Sequence, residues 1–333
     1  MEWPNLAEAA HRAKASIRKR VKARHASRFL AGVTVILLII ALIVGFWPLI
    51  SRSMGDRSVE KQASQVSKMT ERFPYNTKNR NVEETVEYNR RLLESGQPIL
   101  GQASDPFTGE TTSDFDGTDD PEYQKLLNVD GLGTMGEIII PSIGVDLPIR
   151  HGSSGSVLEH SAGHLHGTSL PVGGKGSHAV ITAHSNYGES TMFDRLTELK
   201  EGDGFYLKIM GRTLAYKVNR IKTVPPSGTS STFDLLRAQK GKDLVTLMTC
   251  TGNGNSMRLL VTGERNRMPD QMPYLEQAPG DKRQPIYTTV AVVFAVLTIG
   301  FLLLALHRHK NKTLGLYPPQ HERQTGRKAH AKT

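Results

Sequence analysis

Two uncharged apolar runs bracket this chain and constrain it more than any other feature. Phe29 to Ile50 is a run of 22 residues without a charge, and Ile286 to Leu306 is a second. Each is long enough to cross a hydrocarbon core of ~30 Å. Arg18, Lys19, Arg20, Lys22, Arg24 and Arg28 precede the first run, and Arg308, Lys310 and Lys312 follow the second. Basic flanks stay on the cytoplasmic side, so both tails are expected inside and the intervening 51–285 segment outside. A cleaved signal peptide has a shorter apolar stretch and a small-residue cleavage site. The first run is longer than that and no A-x-A site follows it.

The charge sits where the spans predict. The chain carries a formal net charge of +10, and residues 1–28 and 307–333 hold +6 each, so the remainder, 29–306, is −2. A nucleic-acid groove needs a basic face on the folded part, which argues against that class of partner. One Cys in 333 residues excludes an internal disulfide framework and any Cys-based zinc or iron–sulfur site.

Between the spans the texture changes twice. Within residues 51–130, Val82, Val86 and Leu93 recur at helical spacing and Gly96 closes the run. Residues 101–120 (GQASDPFTGETTSDFDGTDD) have no apolar period and read as a long loop, a kind that is usually disordered or functional. From 136 onward short apolar runs alternate with Gly, Pro, Asn and Ser clusters. Two lie in GEIIIPSIGVDLPI, split at Pro141-Ser142, and others at His178–Ala183, Gly204–Ile209, Leu214–Val224, Asp243–Thr249 and Arg258–Gly263. Met192 to Leu199 fits one short helix. Many short strands with few helices predict a mainly β domain, a barrel or sandwich.

Several motifs have plain readings. Gly131, Gly133 and Gly136 spell G-x-G-x-x-G, but a loop precedes them and a strand follows, the reverse of what a dinucleotide site needs. His151, His160, His164 and His166 cluster in a Gly-rich stretch that reads as loop, where nothing holds the rings on one face, so no metal site is assigned. Cys250 closes the run DLVTLMTC, directly before the turn TGNGNS. A lone Cys there is most often a small buried hydrophobe. Its neighbourhood favours reactivity: His184 ends the run HAVITAH and Arg258 opens the next strand. An imidazole can deprotonate a thiol and later protonate a leaving amine. A guanidinium suits the oxyanion formed when a thiolate attacks an amide carbonyl. Together the three describe acyl transfer through a thioester.

These residues carry a resemblance. TLMTC at 246–250, ITAHS at 181–185 and RLLVTGER at 258–265 resemble the sortases, transpeptidases of Gram-positive cell surfaces. The likeness runs from about Tyr88 to Arg265. Asp105-Pro106-Phe107, in the long loop, resembles the lid of the pilus-assembling class, class C, as does a second span after the catalytic domain. The resemblance implies catalytic roles for Cys250, His184 and Arg258. It implies an eight-stranded sortase-type β-barrel with N-terminal helices and a lid loop, flanked by two transmembrane helices. No metal or organic cofactor is required in this class. Implied substrates are pilin subunits with an L-P-x-T-G-like sorting signal, cleaved between Thr and Gly and joined to a pilin lysine. Alternatives are a housekeeping-type sortase that anchors proteins to cell-wall precursor, and a surface domain that only binds.

The expected organisation is a basic tail (1–28), a span (29–50), a helical region (51–130) with its lid loop (101–118), the barrel (131–267), a linker (268–285), a second span (286–306) and a basic tail (307–333). Two departures from the family are visible. It commonly reads T-P-Y-G-x-N after the Cys, where this chain has TGNGN, one residue shorter before the arginine. His166 stands where a Glu is common.

Overall fold

The computed structural model describes residues 6–97, 117, 119–185, 190–225, 234–252, 254, 256–269 and 284–313. It divides into two compact units, one holding Met1–Leu49 with Lys282–Thr333, the other Ile50–Asp281. The first apolar run belongs to helix α1 (Leu6–Glu71), which continues without a break beyond Ile50. The stretch of α1 that begins at Gly32 is long and apolar enough to cross a membrane. The second run forms helix α5 (Gln284–Thr313), whose apolar part, Thr288–Leu304, is shorter.

Helix α2 (Tyr75–Glu94) ends at Gly96, whose φ of 75° is the left-handed turn that stops a helix. Its buried face is Val82, Thr85, Tyr88 and Asn89. The apolar spacing in the sequence includes Val86, but that side chain is 49% exposed. Two amides dock α2 instead. Asn89 pairs both ways with Leu170, donating to its carbonyl at 2.9 Å and accepting from its N–H at 2.7 Å. Asn81 accepts from Leu127 N–H at 3.0 Å. The lid residues Asp105, Pro106 and Phe107 lie outside the described residues.

Eight strands close into a barrel in the order β1-β2-β3-β4-β7-β8-β6-β5. They are β1 (Thr134–Ile140), β2 (Val145–His151), β3 (Ala162–His164), β4 (Ser177–Thr182), β5 (Gly204–Ile209), β6 (Arg212–Val224), β7 (Asp243–Thr251) and β8 (Met257–Asn266). Most pairs are antiparallel, but β2–β3 and β4–β7 are parallel. Strand β3 was hidden within the His- and Gly-rich stretch read as loop, because three residues are too few to show an alternation. Met192–Leu199 is not a helix: it is a set of turns with one 3-10 turn at Leu196–Glu198. Short helices α3 (Pro121–Lys125) and α4 (Gly155–Leu158) and a 3-10 turn at Pro141–Ile143 lie between the strands or before them.

Successive side chains on a strand point to opposite faces, and the core divides accordingly. Ala179, Ile181, Val245, Leu247, Leu259 and Val261 join the main core, which also takes in Val59, Val66 and Val82 from the helices. On the other face of the same strands, Val180, Met248 and Leu260 form a separate cluster with Leu165 and Leu236.

Candidate active site

The site follows from strand register. In the antiparallel β7–β8 pair, Cys250 is directly opposite Arg258. Cross-strand partners share a face, with Cβ atoms ~4.5–5.5 Å apart. In the parallel β4–β7 pair the last registered partners are Thr182 and Met248. Continuing two residues along each chain sets His184 beside Cys250. Hydrogen bonds hold this continuation: Ala183 N–H donates to Met248 O at 3.2 Å, Thr249 Oγ1 to Ala183 O at 2.7 Å, and Ser185 Oγ to Cys250 O at 2.6 Å.

His184, just past the end of β4, therefore extends the Cys250–Arg258 pair of β7 and β8 into one row. They share the face that carries Val180, Met248 and Leu260, opposite the main core. The row beneath is Thr182, Met248 and Leu260, all buried. The sequence placed the three polar residues at strand ends, and the structure brings all three together. Cys250 and Arg258 are each 5% exposed, and His184 is half-buried.

Burial holds the His184 imidazole below the ordinary histidine value, and the Glu159 carboxylate pulls the other way. A base with a lowered pKa is neutral at neutral pH, the form that accepts a thiol proton. Glu159, at the end of α4, carried no signal in the sequence. It is one exposed acid among many until the fold brings α4 near His184.

The histidine cluster is organised, contrary to the expectation that nothing orients its rings. His151, His164 and His166 surround Tyr123, with ring centroids 4.8, 5.7 and 4.7 Å from the tyrosine. His151 directs both nitrogens at backbone carbonyls, Gly133 at 2.9 Å and Leu126 at 2.8 Å. His164 lies within hydrogen-bond distance of Tyr123 Oη and Ser169 O. Tyr123 Oη also accepts from Gly152 N–H at 2.8 Å. Burial pushes His164 down to about 3, which keeps it neutral. These rings tie α3 to β2 and β3, and among the described residues no group of three potential ligands is arranged to hold a metal.

Known proteins resemble this arrangement. A sortase-domain family model matches residues 138–266. The curated relative "Sortase A" of Streptococcus agalactiae serotype III is 26% identical over 162 residues, 46% of this chain and 64% of the relative, so the chain spans somewhat under two thirds of its length. Among solved structures, sortase C1 of GBS Pilus Island 1 is 32% identical with a TM-score of 0.54, covering 65% of this chain and 96% of that one. The pilus-related sortase C of group B Streptococcus is 36% identical with a TM-score of 0.53, covering 62% and 96%. Streptococcus pneumoniae sortase C, described with its pilin substrate specificity, is 29% identical with a TM-score of 0.51, covering 64% and 100%.

Proposed function

The chain belongs to the sortase family of cysteine transpeptidases, and from that premise we propose that it is a membrane-anchored pilus-assembling enzyme with Cys250 as nucleophile, His184 as proton carrier and Arg258 as oxyanion donor. The observation that carries this reading is the Cys250–Arg258 pair on β7 and β8 with His184 following β4 alongside it, tied by the Ala183–Met248 and Ser185–Cys250 bonds. Similarity to class C structures, one of them described with pilin specificity, supports a pilin substrate over a wall precursor. The mechanism then runs in two halves.

In the first half, Cys250 Sγ attacks the carbonyl carbon of the sorting-signal Thr while His184 takes the thiol proton. The Arg258 guanidinium steadies the oxygen as it gains charge. The Thr–Gly bond breaks, the Gly amine leaves with the proton from His184, and a thioester remains. In the second half a pilin lysine amine attacks the thioester carbonyl. His184 accepts its proton, and the thiolate departs and is reprotonated. One amide is broken and one is made, without any cofactor.

The topology belongs to the same proposal: 29–50 and 286–306 cross the membrane, both tails are cytoplasmic, and 131–267 forms the catalytic domain outside. Asp105-Pro106-Phe107 is proposed as a lid over Cys250, with Asp105 directed to Arg258. The test is activity on a sorting peptide with a lysine acceptor. Cys250→Ala abolishes both cleavage and ligation, and His184→Ala and Arg258→Ala each lose at least ~10²-fold. Ligation by purified Cys250→Ala protein overturns the proposal.

A further inference from the structure

The turn at 191–194, downstream of His184, is held from outside the barrel. Phe193 N–H donates to His184 O at 3.1 Å, so the backbone of the histidine is fixed to residue 193. The turn before it is tight: Asp194 N–H reaches Thr191 O at 2.8 Å, and Met192 takes a φ of 32°. That region is disfavoured for a residue with a side chain and persists only where surrounding contacts enforce it. Met192 and Phe193 supply apolar anchors, being 2% and 0% exposed in the main core.

The polar side of the turn is held by α1. Thr191 donates twice to one carboxylate, N–H to Asp56 Oδ1 at 2.6 Å and Oγ1 to Asp56 Oδ2 at 2.7 Å. Arg52 Nη2 donates to Asp194 Oδ2 at 2.7 Å, and that carboxylate side chain is 2% exposed. Arg52 and Asp56 are four residues apart, so they share one face of the helix. A buried carboxylate that loses its cation is strongly destabilised, and the turn would have to move to rehydrate it.

We infer that Arg52 and Asp56 are positioning residues for His184: the helix just past the apolar span holds turn 191–194, and the turn sets the imidazole against the thiol. The inference rests on His184 acting as the proton carrier. Neither α1 residue touches the reacting atoms. Their effect passes through Thr191 and Asp194 to Phe193, and from its N–H to the carbonyl of His184. A misplacement of ~1 Å in such a group costs up to ~10²-fold in rate.

The experiment compares variants of the full chain in detergent, reading peptide cleavage and the alkylation of Cys250 by iodoacetamide at neutral pH. Asp56→Ala is expected to lower kcat by about 10²-fold with KM nearly unchanged, and to slow alkylation. Asp56→Asn restores most of the rate, because its carbonyl accepts from Thr191 N–H and its amide donates to Thr191 Oγ1. Thr191→Val deletes one of the two bonds, leaves α1 untouched and gives an intermediate loss. Ser67→Ala is the control: it removes a contact of the same helix with Glu137 on β1, far along the chain from the turn, and leaves kcat unchanged. Equal losses in Asp56→Ala and Ser67→Ala overturn the inference in favour of general helix docking. An inactive His184→Ala beside a fully active Asp56→Ala overturns it alone, whereas a fully active His184→Ala overturns the proposed function with it.

Discussion

Replacing Asp146 by Asn should stabilise this protein at neutral pH and leave its stability unchanged in acid. Glu137 on β1 and Asp146 on β2 lie on the same face of the strand pair, since Asp146 is registered with Ile139. Glu137 is 2% exposed and has two polar partners, Lys208 Nζ at 3.2 Å and the Ser67 hydroxyl. Burial, then the Glu137 charge, pushes the Asp146 carboxyl up to about 8, so it keeps its proton and shares it with Glu137. In the unfolded chain the same group releases its proton near the ordinary value of 3.8.

The sign follows from proton counting. Between those two values the native state holds a proton that the unfolded state lacks, so stability is fully present in acid and falls as pH rises toward 8. The loss is at most ~1.4 kcal/mol per pH unit. Lys208 pulls the Asp146 value down, and the value of about 8 already contains that pull. From pH 5 to 7 the wild type should therefore lose roughly 2.5 kcal/mol relative to Asp146→Asn, whose amide donates as the protonated acid does. Urea unfolding followed by circular dichroism at several pH values reads this difference directly. Parallel stability curves for the two proteins would refute the reasoning.

Further outcomes are expected elsewhere. Asp105→Ala with Phe107→Ala should speed both Cys250 alkylation and cleavage of free sorting peptide; a lid open ~1% of the time weakens binding about 100-fold, and unchanged rates remove the lid role. Protease added to intact protoplasts should digest 51–285 and spare both tails, and a cut C-terminal tail refutes that topology. Tyr123→Phe deletes the hydroxyl that meets Gly152 N–H and His164, and should lower stability by ~1–3 kcal/mol in a urea titration.

How far the sequence speaks depends on range. Strands β5 to β8 were legible because alternating apolar residues and turn punctuation are local signals. The residues that make the row were legible too, each at the end of an apolar run. Their coming together was not legible from spacing, since His184 meets Cys250 only through a parallel pairing with two strands inserted between. The ties between Asp56 and Thr191 span 135 positions and carry no periodic mark. Nothing in the sequence marks Glu137 and Asp146 as a pair, since burial and their shared face of β1 and β2 are what make one keep its proton. The histidine stretch was misjudged for a related reason: its rings are oriented by Tyr123, 28 or more residues upstream.

The two halves of the row also differ in when they can exist. Cys250 and Arg258 are registered opposite each other and lie only eight positions apart in the chain, so the β7–β8 hairpin can bring them together on a scale of ~1–10 μs. His184 stands 66 positions before the thiol, beyond strands β5 and β6, and joins only through a non-local parallel pairing. Closing such a long loop carries an entropic cost that is met late in folding. On the proposed roles, a chain with the hairpin made and the parallel pairing unmade would hold the thiol beside a cation but away from its proton acceptor. If His184 is that acceptor, full alkylation rate should emerge only with the β4–β7 pairing, and stopped-flow alkylation during refolding would time that step.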